Sequence, residues 1–85
     1  MAKKKAPDEV DLHGMTVDEA LARVCDFLDC SQRAHLHRVW IIHGKGTGAL
    51  RNAVWDYISH RAGIMHYCQA DPQRGGAGCI QVDLA

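Results

Sequence analysis

Two histidines, each followed by a glycine, carry the first chemical suggestion in this 85-residue chain. Asp11-Leu12-His13-Gly14 sets a carboxylate two residues before an imidazole. His43-Gly44-Lys45-Gly46-Thr47-Gly48 sets a second imidazole at the head of a glycine-rich run. A carboxylate beside an imidazole can orient the ring and raise its proton affinity, as a general acid or base requires. On a strand, Asp11 and His13 would leave the same face, with Leu12 turned into the core. The plainer alternative is that Asp11 takes a nearby backbone amide and His13 ends the strand. The glycine-rich run suits an anion for a different reason. Glycine allows positive φ and lets a ligand approach the backbone N–H groups. A helix starting directly after the run adds unpaired donors and the positive end of its dipole. Phosphate is the expected anion, with Gly44, Lys45, Gly46 and Gly48 as its cradle. Arg51 falls in the first turn of that helix, where the dipole disfavours a cation unless an anion lies close by.

Other chemistries find little support. Two-metal hydrolysis needs several carboxylates gathered together, and the expected site offers Asp11, Asp71 and little else. A zinc site can be written from His13, His35, His37 and His43, but the spacing fits no standard pattern, so no metal or other cofactor is expected. The chain has no G-x-S-x-G turn, Walker A motif or dinucleotide fingerprint. Its four cysteines, Cys25, Cys30, Cys68 and Cys79, form no C-x-x-C pair. They read as reduced, mostly buried thiols of a cytoplasmic protein, with oxidation between Cys68 and Cys79 as the alternative. Trp55 reads as a packed rim residue, with a base-stacking platform as the alternative.

The elements that must position these residues follow from periodicity and caps. Residues 1–8, with Lys3-Lys4-Lys5, read as a disordered basic arm, and residues 9–85 as one domain. A short strand covers Val10 to His13. Thr16-Val17-Asp18-Glu19 is a capping box opening a helix to about Arg33, with Val17, Ala20, Leu21, Val24 and Leu28 on its apolar face. Arg38 to His43 is a second strand. Ala49 to Arg61 is a second helix with Leu50, Ala53, Val54, Tyr57 and Ile58 inward, ended by Gly63. Ile64 to Ala70 and Cys79 to Leu84 are further strands, joined by a loop holding Asp71, Arg74, Gly75 and Gly76. The order β-α-β-α-β-β implies a two-layer α/β sandwich, with both helices on one face of a mixed four-stranded sheet and the first three strands parallel. His13, His43 and Asp71 would then share the carboxyl edge of the sheet, where α/β ligand sites form.

Bulk properties narrow the partners. Net charge is zero, which argues against coating nucleic acid by bulk electrostatics, yet the distribution is uneven. Asp8 to Asp29 holds seven acids and one base, whereas Arg33 to Arg61 holds five bases and one acid. Such a positive half can meet a polyanion. No apolar run reaches the ~18–20 residues of a membrane span, and no segment resembles a signal peptide.

Taken in order, Asp11-Leu12-His13-Gly14, then Ile41-Ile42-His43-Gly44-Lys45-Gly46-Thr47-Gly48 with Leu50-Arg51, then Gly75-Gly76-Ala77-Gly78 resemble the Smr (small MutS-related) domain over about residues 9 to 85. The family's L-D-x-H motif falls on Asp11, Leu12 and His13, with Val10 in place of the leading leucine. Its H-G-x-G motif falls on His43 to Gly46. The resemblance implies a sandwich like the carboxyl-terminal domain of a bacterial translation initiation factor, with sheet order one-two-four-three and strand four antiparallel. It also implies a nuclease, either an RNA endonuclease acting at stalled ribosomes or a DNA-nicking domain attached to a MutS-like ATPase. Nucleic acid is the implied partner, with the ribosome as a further candidate and no membrane involved. Some Smr domains carry arginine where this chain has His13, so the histidine favours a competent version. The chain is read as either a minimal stand-alone protein or an excised domain.

The resulting expectation is an endonuclease cutting RNA in preference to DNA. His13, oriented by Asp11, takes the 2′-hydroxyl proton, and His43 or a neighbour protonates the leaving oxygen. Lys45, Arg51, Arg74 and the amides of the two glycine loops hold the phosphate. The alternatives are a non-catalytic nucleic-acid- or ribosome-binding module and the DNA-nicking domain of a repair protein.

Overall fold

The computed structural model describes residues 8–44, 48–74 and 76–85. Its elements run β1 (Glu9–Asp11), α1 (Val17–Arg33), β2 (Arg38–Ile42), α2 (Ala49–Ser59), β3 (Ile64–Gln69) and β4 (Cys79–Leu84). Two 3-10 turns, Pro72–Arg74 and Gly76–Gly78, fill the connection expected to be an irregular loop. The expected arm at residues 1–7 lies outside the described residues. Asp8 is already tied to the sheet, its carbonyl accepting the Trp40 N–H at 2.9 Å.

The sheet order is β1-β2-β4-β3. β1 pairs parallel with β2, and β4 runs antiparallel between β2 and β3. β1, β2 and β3 therefore point the same way, and their carboxyl ends lie on one edge. Alternation along β2 and β4 sends Val39, Ile41, Ile80 and Val82 inward, against Val24 and Leu28 of α1 and Val54 and Ile58 of α2. The opposite face of the sheet carries Arg38, whose Nε donates to Asp83 Oδ1 at 2.7 Å across the β2–β4 pair.

α1 begins as its sequence specifies. The Thr16 hydroxyl accepts the Glu19 N–H at 3.2 Å, and Glu19 Oε1 accepts the Thr16 N–H at 2.9 Å. The Thr16 amide and hydroxyl hold the Glu19 carboxyl below its usual range. Val17, expected on the apolar face, is instead 36% exposed, because it lies in the first turn above the core. Phe27 takes a buried place the periodic reading omitted. The far ends of the helices are joined by Arg61, which follows α2. Its Nη2 donates to Asp29 at 2.5 Å and Gln32 at 2.9 Å, and its Nη1 donates to the Tyr57 hydroxyl at 2.7 Å.

Several expected boundaries shift. β1 stops at Asp11, because Leu12 gives its N–H to Ile42 and then accepts from Met15, turning the chain. α2 stops at Ser59, where the His60 and Arg61 N–H groups bond back to Tyr57 and Ile58. Cys68 lies opposite Gln81 while Cys79 lies opposite Ile42, so the two are offset along the hairpin, and neither is in a disulfide. No described helix is long and apolar enough to cross a membrane. Replacing Thr16 by alanine is expected to cost about 1 kcal/mol, and Leu28→Ala roughly 2–5 kcal/mol, both read from urea unfolding midpoints at constant m-value.

Candidate functional site

One cleft of about 610 Å³ opens at the carboxyl edge of the sheet. Among the described residues it is lined by His13 to Val17, by His43 and Gly44, and by Gly48 to Arg51. The walls are thus the turn after β1 with the start of α1, the end of β2, and the start of α2. The two helix starts differ chemically. α1 is closed by its capping box and carries Asp18 and Glu19 in its first turn. α2 follows Gly48, whose φ is 92° and which supplies no side-chain cap, and it has no acid in its first turn. The positive end of its dipole therefore faces the cleft, beside Arg51.

His43 continues the inward alternation of Val39 and Ile41, which buries its ring at 6% exposure. Its Nδ1–H donates to the Gly44 carbonyl at 2.8 Å. In the neutral ring this makes Nε2 the acceptor nitrogen. Burial is the main cause that lowers the His43 pKa from 6.5. The Gly44 hydrogen bond opposes that shift, and the positive charge of Arg51 adds to it. The residue is therefore held as a neutral imidazole.

The backbone beside it is clamped from the second glycine cluster. The Gly78 carbonyl accepts both the His43 N–H at 2.9 Å and the Gly44 N–H at 3.1 Å. Gly44 then takes φ of 85°, and a Cβ there would stand 3.8 Å from His13 Nδ1, so the two histidine segments meet at this glycine. The convergence of three segments expected from topology is present, although the third arrives as backbone. Gly76 is buried and its N–H bonds to the Asp71 carbonyl at 2.9 Å; neither residue lines the cleft. Arg74 closes the turn before it. Lys45, Gly46 and Gly75 of the expected phosphate set lie outside the described residues.

Asp11 acts on the backbone. Its Oδ1 accepts the His13 N–H at 2.9 Å, fixing the turn that presents His13. The shared-face geometry expected of Asp11 and His13 does not extend to His13, because β1 ends at Asp11. Of the two readings weighed for this carboxylate, the backbone bond is the one observed. Among the described residues, the group whose atoms could gather around a metal is Cys25, Asp26 and Asp29 on α1 rather than the histidines. The Arg61 guanidinium already pairs with Asp29 there.

One further feature was only half legible. Arg51 places its guanidinium 5.0 Å from the Trp55 ring centroid, and Trp55 stands edge-to-face on Tyr67 with centroids 5.0 Å apart. The i,i+4 spacing of Arg51 and Trp55 was available in the sequence; the Tyr67 partner was not.

A small two-layer α/β domain, with a cleft edged by two histidines and two helix starts, is the class these features define. The Smr domain model matches residues 10–85, and the chain belongs to the Smr domain family. It is 46% identical over 76 residues to endonuclease MutS2 of Bacillus mycoides (strain KBAB4), covering 89% of this chain and 10% of that protein. The chain thus spans about a tenth of the length of the curated relatives it matches. Among solved structures it superposes on the Smr domain of Thermus thermophilus MutS2 with a TM-score of 0.89 at 38% identity, covering 92% of this chain and 98% of that one. It superposes on YdaL, a stand-alone small MutS-related protein from Escherichia coli, with a TM-score of 0.87 at 28% identity, covering 96% and 66%.

The lowered His43 pKa has a consequence for stability. Between the unfolded value near 6.5 and the lower folded value, the unfolded chain binds more protons than the folded one, so stability falls as pH falls through that window. His43→Asn retains an amide donor for the Gly44 carbonyl and cannot titrate. The stability difference between wild type and His43→Asn, measured by urea unfolding, is expected to shrink as pH drops below 6.5.

Proposed function

We propose that this domain is an endonuclease that cleaves phosphodiester bonds, RNA in preference to DNA, by histidine acid–base chemistry. The observation that carries this reading is the pairing, in one cleft, of a buried imidazole of lowered proton affinity with an exposed one beside the start of α2. The names of the MutS2 relatives support the endonuclease class.

The geometry favours a division of labour opposite to the one expected from sequence. His43 is kept neutral and has its Nδ1–H committed to Gly44. Its Nε2 therefore suits removal of the ribose 2′-hydroxyl proton. The freed oxygen attacks the adjacent phosphorus, and the bond to the 5′-oxygen breaks. His13, exposed at the cleft and held against Gly44, delivers a proton to that leaving oxygen. Asp11 serves by fixing the His13 backbone. Arg51 and the first amides of α2 balance the charge that builds on the phosphoryl oxygens, with Lys45 and Arg74 as further phosphate contacts. The products are a 2′,3′-cyclic phosphate and a 5′-hydroxyl, and no step calls for a metal.

Incubating end-labelled RNA and DNA with wild type and His13→Ala, with and without chelator, tests this directly. RNA cutting that persists in chelator and leaves a cyclic phosphate is expected, and His13→Ala should lose roughly 10²–10⁴-fold of the rate. The rate should also fall on the acid side only below pH 6.5, as His43 becomes protonated. Magnesium-dependent nicking of DNA alone would sink the reading in favour of a repair-type nicking domain.

A second reading, a module that binds nucleic acid or the ribosome without cutting, draws on the Asp11 carboxylate, which accepts from the His13 backbone N–H. It prevails if the wild type binds RNA in a salt-sensitive way and never cuts, with His13→Ala binding equally well.

A further inference from the structure

The row Arg51, Trp55 and Tyr67 runs from the cleft wall toward the β3 side of the sandwich. Arg51 is exposed and lines the cleft, while Trp55 and Tyr67 are half-buried against the core. Trp55 is braced edge-to-face by Tyr67 at an interplanar angle of 79°, so its ring is held in place. A guanidinium is a flat cation with two faces, and the Arg51 guanidinium carbon lies over the Trp55 ring, 5.0 Å from its centroid, within cation–π range. Its charge side also acts within the cleft, where it lowers the proton affinity of His43. Packing alone explains Trp55 and Tyr67. It does not explain an exposed arginine in the first turn of a helix, where the dipole repels it.

We infer that Arg51, backed by Trp55 and Tyr67, is a stacking platform for an unpaired nucleobase flanking the phosphate held in the cleft, so that the domain takes single-stranded nucleic acid. This rests on reading the cleft as a phosphodiester site. The physics is that of a three-layer stack. The base lies on the outer face of the guanidinium, and Trp55 supports the inner face and limits the arginine's rotamer freedom. Every base has a π-face, so the platform is tolerant of sequence. A base locked in a duplex cannot reach it without unstacking, which is why the substrate is single-stranded. Arg51 thus acts twice, as charge for the phosphate and as surface for the neighbouring base.

The test uses short fluorescently labelled 2′-O-methyl RNA, which lacks the attacking hydroxyl and cannot be cut by the proposed route. Binding to the 85-residue chain is measured by anisotropy at fixed salt, with one abasic site moved along the strand. At one position, loss of the base is expected to weaken binding by roughly tenfold or more, and a blunt duplex of the same sequence should bind more weakly than the single strand. The ratio of intact to abasic affinity should collapse toward one in Arg51→Gln and in Trp55→Ala. Arg51 is exposed, so Arg51→Gln keeps the test valid if Trp55→Ala fails to fold. Equal binding of every abasic strand, preference for the duplex, or an undiminished abasic penalty in Arg51→Gln would each overturn the proposal. The cleavage assay fails independently. A chain that senses the abasic site but cuts nothing retains the platform and loses the nuclease reading, whereas a chain that cuts RNA yet ignores the abasic site does the reverse.

Discussion

The parallel pairing of β1 with β2 is the constraint from which the rest of the molecule follows. Val10 lies opposite Ile41 and Asp11 opposite Ile42, so both strands finish at the same edge. Each is followed by a helix that must start there to cross back over the sheet. That arrangement brings two strand ends and two helix starts within one cleft, and it does so before any functional side chain is considered. The chain then treats the two helix starts differently. Thr16 and Glu19 cap the first, whereas Gly48 offers the second no side-chain cap and its first turn holds no acid.

A carbonyl just before β4 braces the backbone at the cleft. By accepting two consecutive N–H groups, Gly78 stops β2 from continuing as a strand and turns the Gly44 peptide back on the His43 ring. The glycine-rich segment after β3 thereby acts as scaffold for the histidine segment after β2. The same geometry decides the state of His43. Burial removes the water that would stabilise its cation, Arg51 repels a positive ring, and the single hydrogen bond to Gly44 only partly offsets these effects. An imidazole so placed favours its neutral form, whereas His13, on a turn held by the Asp11 carboxylate, remains open to solvent.

The order of elements, the helix starts and most of the core were legible because periodicity, caps and glycine positions are local signals. β4 was read with its observed bounds, and α1 from its capping box, since alternation and capping act within a few residues. The ends of β1 and α2 were less legible, because long-range backbone bonds set the first and a tightening last turn sets the second. Phe27 was missed and Val17 misplaced for a related reason. A helix wheel gives the direction of a side chain but not the depth of what lies opposite. At the site, His13, His43, Gly44, Gly48 and Arg51 were identifiable from type and spacing, and all five line one cleft.

By itself the sequence determined which residues could do chemistry and on which edge they would gather, because connection order and strand direction leave few arrangements. Tertiary structure decided what each residue is free to do. It gave the Asp11 carboxylate to a backbone N–H and burial to His43. It turned the second glycine cluster into a clamp, and it set Trp55 against Tyr67. These outcomes depend on distances between segments far apart in the chain and on how much water each group loses. Neither quantity is written in local spacing.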